Sequence, residues 1–455
     1  MASIEVPGVW EGLEGALVAG NGPTDRKFAR ATIDSREVRK GDLFFALHGE
    51  RRDGHHFVAQ AIEAGALGAV IERPVDAPAA AALFHVSDSL EALQRLAAWW
   101  RRRHEVKVIA VTGSVGKTTF KELIASILGH RYAVLKSEAN LNTEIGIPLT
   151  LLQLANEHER AVLEFGMYAR GDIAALAQIA RPATGVVTNV GPVHLERLGS
   201  MGAITAAKAE LVEALPADAL AVLNGDDART VAMARRTPAR VTYYGYSEQS
   251  DVRASGVVSR GLEGTQFRLK YAGDCVDVRL PLPGRHYVYP GLAAAAVALG
   301  EGLTLNEIAA ALAEARLDLR SRIVPGPNGS TVLEDSYNAS PASMLAALDL
   351  LAELPGRRIA LLGDMLELGA AEEEGHRSVG ERAATACDLL LTVGVRASSI
   401  AEAARRAGAT DVRQVGTAGQ AIEALRKELR EGDHALIKAS RAMALEEVVS
   451  ALIET

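Results

Sequence analysis

The stretch "AVTGSVGKTTF", Ala110 to Phe120, decides how the rest of the chain is read. An apolar run, "VKVIAV", enters it with strand character, and a helix-like segment leaves it at Lys117. A standard phosphate loop, G-x-x-x-x-G-K-[ST], requires glycine where Val111 stands, so this is the shorter T-G-x-x-G-K-T form. A strand that turns at Gly113, Ser114 and Gly116 into a helix N-terminus surrounds an anion with backbone N–H groups. Lys117 then reaches the outer phosphates, and Thr118, followed by Thr119, offers a hydroxyl to magnesium. The competing reading is an ordinary glycine turn before a helix with a surface lysine. The coincidence of strand, loop, Lys-Thr pair and helix favours a nucleotide.

Working outward, strand-like and helical segments alternate on the C-terminal side: "RAVLEFGM", "DIAALAQIA", "TGVVTNVG", "AITAAKAELVEAL", "LAVLNGDD". Such alternation predicts a doubly wound parallel sheet. From 240 to 280 the pattern changes to period two ("VTYYGY", "QFRLKYAGDCVDVRL"), which predicts an antiparallel annex, and an alanine-rich helix follows near 291–300. Residues 1–103 form a smaller α/β unit with "DLFFAL", "FVAQAIEAGA" and "LGAVIE", ending in the helix "SLEALQRLAAWWRRRH". Residues 319–455 alternate again ("STVLEDS", "RRIALLGDM", "CDLLLTVG", "DHALIKAS") as a Rossmann-like unit without G-x-G-x-x-G. The fold class is therefore α/β in three domains, 1–103, 104–318 and 319–455, as 455 residues allow at one domain per about 150.

Composition excludes several classes. No apolar run approaches the roughly 20 residues that span a bilayer, and "MASIEVPGVW" has no basic-then-apolar leader, so neither membrane insertion nor secretion is expected. The two cysteines, Cys275 and Cys387, argue for the reducing cytoplasm and against a disulfide scaffold or thiolate zinc site. A net charge of −8 with interspersed signs gives no basic stripe for nucleic acid.

Candidate metal ligands stand at strand ends. Glu164 closes "AVLE" before "FGM", and His194 follows the next strand in "VTNVGPVHLERLGS". Either alone also fits a solvated or structural role. At about 100° per residue, Ile204, Leu211, Val212 and Leu215 share a helical face that includes Lys208, with Glu210 and Glu213 pointing away. An ammonium amid that stripe is desolvated, its pKa falls, and a neutral amine reacts with carbon dioxide to give a carbamate. The wheel leaves open that the long stem snorkels to water.

The set "TGSVGKTT", "NLNTEIGIPL", "LEFGM", "VGPVHLERLGS", "AAKAELVE", "PGRHYVY", "EDSYNASPASM", "LGDMLELG" and "LIKASR" resembles the Mur ligase family of cell-wall synthesis over nearly the whole chain. "DSYNASPASM", "LGDMLELG" and the N-terminal "IDSREVRKGDLFFALHGERRDGHHF" are similar to its D-alanyl-D-alanine-adding branch. The resemblance implies an ATP-dependent amide-bond ligase with UDP-N-acetylmuramoyl-tripeptide and D-alanyl-D-alanine as substrates. It further implies two magnesium sites and a carbamylated Lys208. Lys117, His194 and Lys208 become catalytic. Gly113, Ser114, Gly116, Lys117, Thr118 and Thr119 hold ATP, and Thr118, Glu164, His194 and Lys208 hold metal. Arg322, Asp335, Tyr337 and Asn338 are expected to close over the nucleotide. Asn140 and Asn142 meet the muramoyl peptide and phosphates, while Ser35, Arg36 and Asp53 sit where the first domain holds the uridine nucleotide. "KASR" (Lys438, Ser440, Arg441) is a candidate for the dipeptide carboxylate, with Arg441 supplying a bidentate fork.

Some positions depart from the family pattern. Tyr287 and Pro290 stand where asparagines are common, one of them an adenine contact, and Thr143 replaces another frequent asparagine. Other readings are a relative adding a diamino acid, a ligase extending folate with glutamate, which would not need the N-terminal "DSR" and "DGHHF" domain, and a nucleotide-binding switch protein without bond formation. The first usually carries D-N-P-R, which is absent here. A monomer is expected.

Overall fold

The strand that feeds the phosphate loop, Lys107–Thr112, is buried from Val108 onward, as suits a strand flanked on both edges and covered on both faces. The computed structural model describes residues 3–49, 52–78, 80–138, 140–193, 195–317 and 321–453. His194 and the expected boundary at 318–319 lie outside them. Lys107–Thr112 runs parallel between Arg160–Glu164 and Thr184–Val187 in a nine-stranded sheet. The chain first moves outward to the edge strand Val134–Lys136, returns as Arg160–Glu164, and then crosses to Thr184–Val187 on the other side. This reversal opens a crevice beside Gly113–Gly116, the position where open α/β sheets bind ligands. Helix Lys117–Leu128 buries Phe120, Leu123, Ile124, Ile127 and Leu128 and packs on the alanine-rich helix Val288–Gly300.

The antiparallel annex begins one strand later than its period-two pattern suggests. Arg240–Gly245, the "VTYYGY" strand, pairs parallel with Leu220–Asn224 and with Val252–Ser259. Only Val252–Ser259, Thr265–Tyr271 and Asp274–Leu280 form the antiparallel ladder. Alternation reports that one face is half exposed and carries no information on strand direction.

The first domain is a five-stranded sheet, parallel except for Leu17–Asn21. Its helix Ser89–Arg102 starts where the Asp88 carboxylate accepts the Glu91 N–H at 2.8 Å, a side-chain N-cap. The helix buries Ala92, Leu93, Leu96 and Ala97 within one apolar cluster that continues into the central domain. Trp100 Nε1 donates to Leu154 O at 3.0 Å, and Arg101 donates to the carbonyls of Ala180, His104 and Val106. The helix is thus a firm mount between the first two sheets.

The third sheet has six strands, parallel except for Arg322–Pro325, with apolar layers on both faces. Its contacts with the central domain among the described residues include two beside the site. Arg285 Nε donates to Glu353 Oε1 at 2.9 Å. The turn Gly369–Ala371 rests on Leu195–Leu198, and a Cβ at Gly369 would lie 3.2 Å from Glu196 N.

Candidate active site

The phosphate loop is built against the segment after Thr184–Val187. Gly113 has φ 150°, and a Cβ there would fall 1.9 Å from Thr188 Oγ1, so only glycine lets these backbones meet. Gly116, at φ 85°, caps the helix that begins at Lys117. The Val115 N–H donates to Asn189 Oδ1 at 3.0 Å, and Thr188 Oγ1 donates to Val115 O at 2.8 Å. Ser114 Oγ bonds the Gly191 backbone, and Lys117 Nζ donates to Gly113 O at 3.2 Å. Asn224 Nδ2 and the Asp227 carboxylate anchor the supporting segment through Thr188 O and the Val190 N–H. A preshaped cradle results, and Thr188, Asn189, Asn224 and Asp227 are contributors that sequence reading missed. "TNV" and "NGDD" after consecutive strands of a doubly wound sheet were the available signal.

Glu164 ends its strand with its carboxylate 3% exposed. Thr118 Oγ1 donates to Oε2 at 2.8 Å, Asn142 Nδ2 donates to Oε1 at 2.8 Å, and the Glu164 N–H goes to Ser137 Oγ at 3.0 Å. No cation among the described residues pairs with this buried carboxylate. A buried anion that the described residues supply only with neutral donors, beside a threonine hydroxyl at a phosphate cradle, suits a magnesium ion, which takes one or two protein oxygens and completes its shell with phosphate and water. No group of three or more His, Cys, Asp or Glu side chains that could by itself hold a metal ion occurs among the described residues. Asn140 is exposed and Thr119 half-buried.

Lys208, on helix Met201–Glu213, is 2% exposed. The side chain therefore does not snorkel. Burial, and secondarily the Lys117 charge, push its ammonium well below its usual pKa. The expectation for Glu210 is corrected: it is buried, not outward, and accepts the Gly171 and Ala174 N–H groups at 2.8 and 3.2 Å. The N-terminus of helix Asp172–Ala180 offers unsatisfied donors there, and a helical wheel drawn for one helix cannot show a neighbour's free N–H groups. Glu213 is exposed and pairs with Arg236.

In the first domain, Ser35, Arg36 and Asp53 all follow the carboxyl ends of parallel strands. Ser35 Oγ donates to Gln60 Oε1 at 3.2 Å, and Arg36 pairs with Asp34, whose pKa is lowered to about 2 mainly by that contact. Asp53 caps the turn Gly54–Phe57, accepting the His55 N–H at 2.9 Å, and also binds His55 Nδ1 and Arg73.

The third domain brings its residues to the same edge. Asp335 Oδ2 lies 2.6 Å from Lys438 Nζ, which also donates to Asn338 O at 2.8 Å. Lys438, 1% exposed, is therefore committed to Asp335, which corrects its assignment to a substrate carboxylate, because a buried ammonium needs an internal partner. Ser440 Oγ accepts the Leu366 N–H at 2.9 Å. Arg441 is exposed, near Glu446 and 5.3 Å above the Tyr337 ring. Arg322 donates to Glu334 at 3.0 Å. Tyr287 is buried, and Ser321 Oγ donates to Asp335 Oδ1 at 2.9 Å.

A phosphate cradle at a switch point, a buried acid against its threonine and a buried lysine nearby describe a nucleotide-dependent transferase or ligase site. Family models place it. Residues 27–101 match "Mur ligase family, catalytic domain", 111–298 "Mur ligase middle domain" and 319–441 "Mur ligase, glutamate ligase domain". The chain belongs to the Mur ligase family and is an ATP-dependent ligase. It is 40% identical over 433 residues to the UDP-N-acetylmuramoyl-tripeptide–D-alanyl-D-alanine ligase of Synechocystis sp., covering 94% of this chain and 93% of that one. The Escherichia coli protein of the same name is 37% identical, with 93% of each chain covered. A crystal structure of MurF from Acinetobacter baumannii superposes with a TM-score of 0.89 at 31% identity, covering 100% of this chain and 99% of that one. No described helix is long and apolar enough to cross a membrane.

Proposed function

We propose that the protein adds D-alanyl-D-alanine to UDP-N-acetylmuramoyl-tripeptide, giving the pentapeptide precursor of peptidoglycan with ADP and phosphate. The observation that carries this reading is the Thr118–Glu164 contact at the phosphate cradle with Lys208 buried nearby, in a chain that matches a ligase of this name over 94% of its length. A MurF structure from Thermotoga maritima is described in complex with ADP, and its TM-score of 0.82 at 29% identity supports ATP in the cradle here. Residues 1–103 bind the uridine nucleotide through the edge carrying Ser35, Arg36 and Asp53. Residues 104–318 bind ATP, and residues 319–455 close over it with Arg322, Asp335, Tyr337 and Asn338. We place the enzyme in the cytoplasm as a monomer.

The chemistry is a carboxylate activation. A carboxylate is a poor electrophile, so the tripeptide oxygen attacks the γ-phosphorus, the bond to the bridging oxygen breaks, and ADP leaves. The amine of D-alanyl-D-alanine then adds to the acyl carbon, loses a proton, and expels phosphate. Two anions meet in the first step. Lys117 and the N–H groups of the helix's first turn, Lys117–Thr119, hold the phosphates against that repulsion. Thr118 and Glu164 would hold one magnesium, with Asn142 orienting the carboxylate, and His194 and Lys208 would hold a second. Bound magnesium supplies charge neutralisation at the transferring phosphoryl group. The neutral amine that burial favours at Lys208 adds to carbon dioxide and releases a proton, so carbamylation turns an isolated buried base into a carboxylate ligand. Ser440 and Arg441 face the dipeptide, and Arg441 supplies the cation for its carboxylate.

The test is phosphate release by the purified protein with ATP and magnesium. It is run with UDP-N-acetylmuramoyl-tripeptide and D-alanyl-D-alanine together and each alone. Release needing both, with the pentapeptide mass in the product, is expected. Release with neither, or binding without turnover, overturns the assignment in favour of a switch protein.

A further inference from the structure

The helix that starts at the phosphate loop carries a second lysine one turn beyond Lys117. Lys121 is fully buried at 0% exposure, unusual for a residue that is almost never interior unless paired. It lies too deep to meet substrate. Its Nζ donates to the backbone carbonyl of Ser137 and pairs with Glu122 Oε1 at 2.8 Å. Glu122 is held in turn by Lys136. Ser137, 1% exposed, donates its N–H to Val162 O at 3.1 Å and accepts the Glu164 N–H on Oγ at 3.0 Å. The segment then runs on to Asn142, which bonds Glu164 Oε1 through Nδ2 at 2.8 Å and accepts the Gly166 N–H on its carbonyl at 2.8 Å. Glu164 finally turns Oε2 back to Thr118 at 2.8 Å.

These contacts close a circuit: from the helix through Lys121 to Ser137, from Ser137 to Glu164, and from Glu164 to Thr118 on the same helix. Thr118 and Lys121 are three residues apart and so share a helix face. One rigid element therefore grips Ser137 with an ammonium and receives the acid that Ser137 and Asn142 hold. We propose that Lys121 is a positioning residue for the metal-phosphate centre, holding Ser137 to the helix so that the Glu164 carboxylate is set against Thr118. This rests on the reading of Thr118 and Glu164 as magnesium ligands. Lysine suits the position because its stem crosses from helix to strand edge and its ammonium donates to a carbonyl while Glu122 neutralises it. Methionine would fill the space and leave the carbonyl without that donor.

The experiment is calorimetric ADP binding, with magnesium and with EDTA, by full-length wild type, Lys121→Met and Ser137→Ala, with thermal melts to verify folding. Ser137→Ala keeps the carbonyl that Lys121 holds and removes only the Oγ contact to Glu164. Wild type binds ADP more tightly with magnesium. Both variants lose about tenfold of that magnesium-dependent gain, as residues supporting metal ligands do, and their affinity in EDTA stays within about twofold of wild type. A folded variant with the full gain overturns the proposal, as does an equal loss with and without magnesium. If Lys121→Met does not fold, Lys121→Gln, whose shorter side chain does not reach the Ser137 carbonyl, takes its place with the same two outcomes. A wild type with no magnesium-dependent gain removes the ligand reading itself and the proposal with it.

Discussion

Replacing Gly113 with alanine tests whether the cradle is shaped before ATP arrives. At φ 150° an L side chain is strained, by about 1–2 kcal/mol. The new Cβ would sit 1.9 Å from Thr188 Oγ1 and 3.1 Å from Thr188 N, so the backbone itself must move. Moving Thr188 breaks its 2.8 Å hydrogen bond to Val115 O, worth about 1 kcal/mol. The sum, about 2–3 kcal/mol against the binding-competent loop, corresponds to about 30- to 150-fold weaker ADP binding. Gly116→Ala is the comparison. Its φ is 85°, but the new Cβ meets only the Phe120 ring at 3.3 Å, and a side chain can give way. Strain alone remains, giving about 5- to 30-fold. Calorimetry with magnesium and ADP measures both. A Gly113→Ala affinity within about threefold of wild type, or the reverse ranking, refutes the argument that close approach to Thr188 shapes the site.

Three further outcomes are expected. Lys208→Ala lowers phosphate release at least about a hundredfold, and a short-chain carboxylic acid added to the assay partly restores it by standing in for the carbamate; full activity without the acid sinks the assignment. Glu210→Ala leaves the N–H groups of Gly171 and Ala174 without their acceptor, and the loss of about 2 kcal/mol should cut hydrogen-exchange protection at the start of helix Asp172–Ala180 about thirtyfold. Hydrogen bonds from Arg357 and then Arg413 hold Glu428 down to about 2 from 4.5. The folded chain therefore binds fewer protons than the unfolded chain in that window, and the stabilisation is full above 4.5 and disappears as pH falls towards 2. The melting-temperature advantage of wild type over Glu428→Gln should accordingly shrink between pH 6 and pH 2.5, and a constant difference would contradict it.

Much of the site was legible because its signals are local. Strand, glycine turn and Lys-Thr within "AVTGSVGKTTF" need only neighbouring residues to mean a phosphate cradle, and Glu164 is legible because it ends an apolar strand. Lys208 was half legible: the wheel put it in the apolar stripe, and only packing of its helix shows that the stem finds no route to water. Glu210 misled because its acceptor role depends on the N-terminus of another helix, Asp172–Ala180. Lys438 misled for a similar reason, since Asp335, 103 residues away, reaches it only across adjacent parallel strands.

What the sequence by itself determined was the alternation of elements, the phosphate loop and the side chains that end strands, because periodicity and turn chemistry are short-range properties. The tertiary structure decided which strand ends share an edge. Parallel pairing, with Glu164 in register with Val111 and Val187 with Thr112, places the loops from three strands in one crevice. Thr188 then presses on Gly113, Ser137 and Asn142 close around Glu164, and Lys121 finds a carbonyl from another strand's loop. Those contacts join residues far apart in the chain. Strand order and register set their distances, and neither is written in any local pattern.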